Sequence, residues 1–547
     1  MKIVAGQVKS VVVIGAGLSG LAAALHLRGV GYAVTVLERA DHVGGRAGRY
    51  QFDDYEIDSG ATILTMPELI DDALAAVGHT RETVHPPLRI TRMSPAYHAR
   101  FADGSDIRVF DDVAAMTAEV ARACGRAEAR GYRRLRTWLA RIYDAEFAEF
   151  MDANFDSPLD MVSIPAAANA LGRLIRLGGF GRLGPRVRSY LSDERLARLF
   201  TFQALFAGTV PNKALALYGA IPHMDTSLGV FYPEGGMRAI TVALADAFVR
   251  SGGVLVLGAD VHRVDYATVR ESSHSEFGID SRGASHRTRR AEAVRTTDGR
   301  LFECDALIVT ADLGSLKPLG LKHRRGLRAS PSAVVAHGTI PAHIAAQWPV
   351  QAHHTIDFGA EWDRTFTEIA AKRGKGKLMS DPSLLLTRPA LTDATQFVDR
   401  ADGRYEPLSL LAPCPNLDAA PLDWARLGPA YLRELLAELE RRGYVGIAEH
   451  FTVDHLDTPT TWSEQGMIAG TPFSIAHLFR QTGPFRPSNM SPASIGIDNV
   501  VLAGCGTTPG VGVPTTLLSG RLAAARITGD RTHVGGDLGV SVAQMKP

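Results

Sequence analysis

The chain has 547 residues, 46% of them hydrophobic and 21% charged, with a net charge of +1. That length allows a large core in two or three domains, and the near-neutral charge argues against a nucleic-acid binder. The four cysteines, Cys124, Cys304, Cys414 and Cys505, are scattered and form no C-x-x-C pair, which excludes a disulfide framework and a zinc site of that type.

The β-branched run at residues 10–14 predicts a buried parallel strand. Gly15, Gly17 and Gly20 follow in a G-x-G-x-x-G pattern and lead into an Ala/Leu-rich helix. Gly15 would permit the tight turn, Gly17 the approach of a pyrophosphate, and Gly20 close helix–sheet packing. Residues 33–37 read as the second strand, with Glu38 at its end, the offset at which a carboxylate accepts ribose hydroxyls. This order of strand, glycines, helix, strand and acid predicts a dinucleotide site. Glu38 favours an unphosphorylated ribose and fits either NAD or FAD. Residues 11–27 carry no formal charge, but their patterned glycines argue against a membrane span.

Residues 50–64 read as an irregular hairpin, and 112–205 as mostly helical. A turn at 232–237 leads into an apolar helix at 239–249, and 254–264 reads as paired strands. The Ser/Arg/Glu-rich stretch 268–290 reads as a mobile insertion. Asp298-Gly299-Arg300 is a hairpin turn, and 306–310 another buried strand. The region from 325 to 480 is mixed and carries few motifs, apart from a basic loop at 372–377 and an amphipathic helix at 423–442. A last helix is expected at 515–527, before a loose Gly-rich tail. The N-terminus has no long apolar core with a cleavage site, so a cytoplasmic protein is expected.

Further motifs carry a family resemblance. They are Gly44-Gly45-Arg46, Ile57-Asp58-Ser59-Gly60-Ala61-Thr62, Phe202-Gln203-Ala204-Leu205-Phe206-Ala207-Gly208 and Gly229-Val230-Phe231-Tyr232-Pro233-Glu234-Gly235-Gly236. Phe473-Ser474, Phe485-Arg486-Pro487 and the run Leu502 to Pro514, ending Gly-Thr-x-Pro-Gly-x-Gly-x-Pro, complete the set. In this order, from about residue 9 to 529, they resemble the bacterial and fungal-type phytoene desaturases. These are FAD-dependent carotenoid desaturases within the two-dinucleotide-binding flavoproteins.

The resemblance implies an α/β fold: a Rossmann-type FAD-binding domain, a discontinuous mixed α+β substrate domain, and a helical part facing the membrane. The FAD-binding segments would be 1–111, 206–325 and 481–530. Residues 112–205 would form the helical region, 326–480 the substrate domain, and 531–547 the tail. Gly15, Gly17 and Gly20 would bind the pyrophosphate, and Glu38 with Arg39 the adenosine side. Gly45 and Arg46 would lie along the flavin, with Gly60, Ala61 and Thr62 near the isoalloxazine and Val261 at the adenine. Gly504, Cys505, Gly512, Val513 and Pro514 would wrap the ribitol and pyrimidine edge, and the following helix would direct its positive end there. Many relatives carry an acid where this chain has Cys505, and carotenoid desaturases tend to lack it. The residue itself reads as a small core cysteine.

The implied reaction removes a hydride from an allylic CH2 and a proton from its neighbour, with FAD as hydride acceptor and quinone or oxygen as the final acceptor. The substrate would be an apolar polyprenoid held in a tunnel. Asp160 is the candidate acid or base by resemblance, although Ser163 stands where the relatives have Arg; its alternative is a helix-start carboxylate. His223, His353 and His354 are weaker candidates. Seven arginines (173, 176, 182, 186, 188, 195 and 198) interleave with Leu171, Leu174, Ile175, Leu177 and Phe180. They read either as a patch lying on the inner membrane face or as a solvated basic face. Competing functions are a related isoprenoid flavoenzyme (hydroxycarotenoid desaturase, carotene isomerase or retinol-saturase-like reductase), a non-catalytic lipid carrier of the same fold, and an amine oxidase.

Overall fold

The computed structural model describes residues 1–205, 208–270, 287–322, 326–490 and 497–533. Phe206, Ala207, most of the 268–290 stretch and the tail from 534 therefore lie outside the described residues.

Three separate stretches of chain build one five-stranded parallel sheet. Read across, its strands are Val500–Leu502, Ala306–Val309, Ser10–Ile14, Ala33–Leu37 and Val254–Val256. Numbered along the chain this is the order 5-4-1-2-3, the doubly wound arrangement whose carboxyl edge binds dinucleotides. The strands are short apolar runs because both faces are covered; Val11, Val12 and Val13 are essentially inaccessible. Helix Leu18–Gly29 packs on this sheet and crosses the last helix, Val513–Thr528. The backbones approach so closely that a Cβ on Gly520 would lie 2.2 Å from the Ser19 carbonyl oxygen.

The stretch 254–264 departs from the expected strand pair. Val254–Val256 joins the parallel sheet, whereas Val261–Arg270 pairs antiparallel with Arg287–Thr296, which also pairs with Leu301–Glu303. Gly258, with φ +62°, turns the chain between them. The strand pairing runs into the stretch expected to be an insertion, reaching Arg270 and Arg287. Its polar composition hid a strand held by cross-strand pairs such as Asp265 with Arg295.

A second sheet of eight strands faces the first across the site. Its order is Thr452–Asp457, Ser332–Pro341, Gly403–Cys414, Leu384–Thr387, His354–Phe358, Tyr97–Phe101 and Asp106–Val109, with Val398–Arg400 also on Gly403–Cys414. The strands at 97–109, grouped by sequence with the first FAD-binding segment, thus pair in this larger sheet. The hairpin Arg49–Gln51/Glu56–Asp58 forms as expected.

Residues 112–205 are largely helical. The longest helix, Arg126–Glu146, buries Tyr132, Leu135, Leu139 and Ile142 along one stripe. It passes directly into a π-helical turn, Phe147–Met151. Helix Arg238–Arg250 and helix Trp424–Arg441, the latter capped by Asp423, lie where the sequence predicts them. Among the described residues no helix is long and apolar enough to cross a membrane.

Candidate functional site

The strand Ser10–Ile14 ends on Gly15, whose φ of +105° favours glycine and whose Cβ would meet Thr310 Oγ1 at 2.3 Å. Gly17 opens helix Leu18–Gly29 and bridges Gly44, so two glycine loops abut at a helix N-terminus. A Cβ on Gly20 would lie 1.9 Å from the Gly15 carbonyl oxygen. Glu38 is buried, and its carboxylate accepts the Ala16 N–H (2.8 Å) and the Ala40 N–H (3.0 Å). It therefore fixes the glycine loop while still lining the cavity.

Gly45, with φ +57°, starts the short turn that carries Arg46. Residues 60–61 rest on this turn, with Ala61 N–H donating to the Arg46 carbonyl (3.2 Å). The Arg46 guanidinium donates to Asp312 and to Cys505 Sγ. Cys505 is thus not a core residue; it is half-buried in the cavity wall and joins the N- and C-terminal segments. Asp312 also accepts the Gly314 and Ile468 N–H groups (3.2 and 2.9 Å). Behind Cys505, Arg486 is fully enclosed and donates to the carbonyls of Thr507 (2.9 Å), Cys505 and Ile475 (3.3 Å). Burial lowers its guanidinium to about 10. Gly512, with φ +128°, precedes helix Val513–Thr528, and Pro514 sits in its first turn, where a missing N–H costs nothing.

One cavity of about 1310 Å³ collects these parts. Every residue singled out for the cofactor lines it except Gly20, whose part is packing. The cavity exceeds the ~300–1,000 Å³ of ordinary ligand sites, which is room for a dinucleotide and a second long molecule. Besides the glycine loops, its wall includes Phe202, Phe358, Trp362, Met161, Ile175, Phe180, Phe479 and Phe485.

Asp160 does not line this cavity. Its carboxylate accepts the Asp156 (2.7 Å) and Ser157 (3.1 Å) N–H groups, which is the helix-start role. His223, His353 and His354 are buried outside the cavity lining, and burial drives all three below the usual histidine range, His223 and His354 to about 4.

Of the cavity-wall carboxyls that sequence reading missed, two are shifted strongly upward. Burial raises Asp225 to about 7 and Glu146 to about 8. Asp225 has a signal in hindsight: it is the first acid after an uncharged run, residues 214–224. Glu146 is hidden among neighbouring surface acids. Tyr218 also faces the cavity, with its hydroxyl 3.1 Å from His477 Nδ1 and within hydrogen-bond reach of Thr482.

The model of the flavin-containing amine oxidoreductases matches residues 18–378 and 424–528. A phytoene dehydrogenase of Streptomyces griseus is 49% identical, over 96% of this chain and 97% of its own. A zeta-carotene-forming phytoene desaturase of Myxococcus xanthus is 30% identical, over 95% and 94%. The chain belongs to the flavin-containing amine oxidoreductases, in the phytoene desaturase family. A solved oxidoreductase of Methanosarcina mazei shares the fold, with a TM-score of 0.55 over 94% of this chain and 99% of its own at 15% identity.

This flavoprotein is therefore an FAD-dependent oxidoreductase, and the non-catalytic carrier reading falls away. Its cavity fits FAD. Two helix N-termini, at Leu18 and Val513, open on the cavity, as an anionic pyrophosphate and an electron-rich ring require. The loops at Gly15, Gly17 and Gly45 present backbone without side chains, so a bulky cofactor can approach.

Proposed function

We propose that this flavoprotein desaturates phytoene or a closely similar apolar polyprenoid. The observation that carries the reading is the continuity of the cavity, which joins the dinucleotide loops to a long arm of aliphatic and aromatic side chains. A hydrocarbon offers no polar handle, so shape and apolar contact must hold it. The names of the relatives at 49% and 30% identity support the same substrate class.

Gly15 and Gly17, with Gly20 packing behind them, would hold the FAD pyrophosphate, with Glu38 and Arg39 at the adenosine end and Val261 toward the adenine. Arg46, Cys505, Gly504 and Gly512 to Pro514, with Gly60 to Thr62, would hold the flavin end. When bound, FAD accepts a hydride from an allylic carbon. The protein orients the chain and excludes water; Phe202, Phe358 and Trp362 hold the polyprenoid by contact alone. The positive end of helix Val513–Thr528, which opens on the cavity, would favour negative charge there. A quinone or oxygen would serve as the final electron acceptor.

The apolar arm ends at a rim that supports docking to a bilayer. Ile175 and Phe479 line the cavity and are each more than half exposed, as are Leu159 and Val162 on either side of the lining residue Met161 in sequence. Of the seven arginines in this region, Arg188 pairs with Glu194, Arg195 with Asp193, Arg186 stacks on Trp138, Arg182 donates to the Lys213 carbonyl and Arg198 to the Gly359 and Ala360 carbonyls. Arg173 and Arg176 remain exposed beside Ile175 and suit an anionic membrane surface, on the inner face of the cell membrane.

Product spectra test the reaction. Incubation with phytoene in liposomes and an electron acceptor should yield a polyene absorbing at longer wavelength. An isomer of unchanged conjugation, or a more saturated product, would favour an isomerase or a reductase instead.

A further inference from the structure

Asp225 lines the cavity outside the glycine loops and is unpartnered at one oxygen. Asp225 lies in the π-helical turn Met224–Leu228, a geometry frequent at functional sites. It is 4% exposed, lines the cavity beside Phe202 and Met224, and its Oδ2 has no hydrogen-bond partner. The turn is held rigidly: Thr226 Oγ1 donates to the Pro222 carbonyl (2.7 Å), and Arg136 donates to the Thr226 carbonyl (3.1 Å). Opposite the carboxyl stand the Tyr97 phenol, from the neighbouring sheet, and the Gln203 amide. Both are buried, and Tyr97 packs edge-on against Phe202 at 5.8 Å. A buried carboxylate with two polar neighbours, a free oxygen and, among the described residues, no cation paired to it is costly unless it has work to do.

We propose that Asp225 is the base that takes the proton in the desaturation, an inference that rests on the functional reading above. The substrate loses two hydrogens from adjacent carbons. One leaves with its bonding pair as a hydride, to FAD. The other leaves as a proton to the Asp225 carboxylate, and its bonding pair becomes the new π bond. The substrate is oxidised by two electrons, the cofactor takes them up, and Asp225 ends neutral until it releases its proton to solvent.

Two other groups in the wall are less suited. Burial holds Glu146 at about 8, with no donor facing its Oε2, so it stays neutral at pH 7. His477 contacts the Tyr218 hydroxyl through Nδ1, and burial with Arg486 nearby holds it well below the usual histidine range. The groups packed about Asp225 are Tyr97 from its strand, Gln203 from the 202–205 turn, His223 two residues earlier, and Arg136 from the long helix. The first two favour the carboxylate, and His223 is held neutral by burial. Asp225, at about 7, is close to the working pH, where a general base is most effective.

The test is anaerobic stopped-flow reduction of the bound flavin by phytoene, followed against pH. It compares the wild type with Asp225→Asn, Asp225→Glu and Glu146→Gln, each first assayed for FAD content and phytoene binding. The wild-type rate should rise through about pH 7 to a plateau. Asp225→Asn should bind FAD and phytoene normally, lose the limb, and reduce flavin ~10²–10⁴-fold more slowly. Asp225→Glu should keep a displaced limb, and Glu146→Gln the wild-type limb. An infrared carboxyl band titrating near pH 7 should vanish in Asp225→Asn, a readout independent of turnover. An unchanged limb in both Asp225 variants, or its loss in Glu146→Gln alone, would overturn the inference while leaving the desaturase reading intact. A wild-type flavin that phytoene never reduces would overturn both.

Discussion

Gly20 and Asp457 are two positions where a few atoms decide an outcome. At Gly20 the clash is with the Gly15 carbonyl, which is backbone and has nowhere to move. Gly20→Ala should cost ~1–3 kcal/mol and release FAD, read as a lower ratio of flavin to protein absorbance after purification. Asp457 is fully buried beneath the cavity wall and accepts from Tyr50 (2.8 Å), with His337 and His455 at 3.5 and 3.2 Å. Burial raises its carboxyl, but His337, His455 and Tyr50 outweigh this and bring it down to about 2. An unfolded aspartate titrates at ~3.9. The stability Asp457 adds is therefore complete above that value and is lost as pH falls toward 2. It amounts to about 2 kcal/mol. Urea unfolding of wild type and Asp457→Asn should differ at pH 6 and converge toward pH 2; a constant difference would contradict this. The glycines and Glu38 were legible because their roles are local. Asp312 and Asp457 were not, since their partners lie far along the chain.

Among elements, the crossing of helix Leu18–Gly29 with helix Val513–Thr528 aligns the two N-termini that open on the cavity. Gly520 allows that crossing, its would-be Cβ lying 2.2 Å from the Ser19 carbonyl oxygen. Gly520→Leu should push the helices apart and lower both melting temperature and FAD affinity. A protein with normal FAD affinity would mean that the crossing does not set the site. Both helices announce themselves in sequence through propensity and glycine punctuation. The large sheet does not. Ser332–Pro341 is buried on both faces, which removes the alternation that marks a strand. Tyr97–Phe101 pairs in parallel with His354–Phe358 across the whole helical layer, a contact no local pattern encodes. The hairpin arms at 261–270 and 287–296 were obscured in another way, by charged residues that pair across strands.

At the scale of the molecule, one cavity is lined both by the glycine loops at two helix N-termini and by many apolar side chains, among them the exposed Ile175 and Phe479 of the proposed docking rim, with Arg173 and Arg176 beside Ile175. Docking through that rim predicts that Arg173→Ser with Arg176→Ser weakens binding to anionic liposomes and leaves FAD content intact; unchanged sedimentation with liposomes would remove the idea. FAD bound only by the folded state should raise the melting temperature with cofactor concentration, by an amount equivalent to ~2.7 kcal/mol at a hundredfold excess over Kd. The central claim is that hydride passes from a polyprenoid to flavin within this cavity. The most direct test mixes FAD-loaded protein with phytoene-containing liposomes without oxygen and follows the flavin and carotenoid spectra together. Flavin bleaching in step with a longer polyene is the expected result. A flavin that stays oxidised, at full FAD occupancy and with phytoene unchanged, would contradict it.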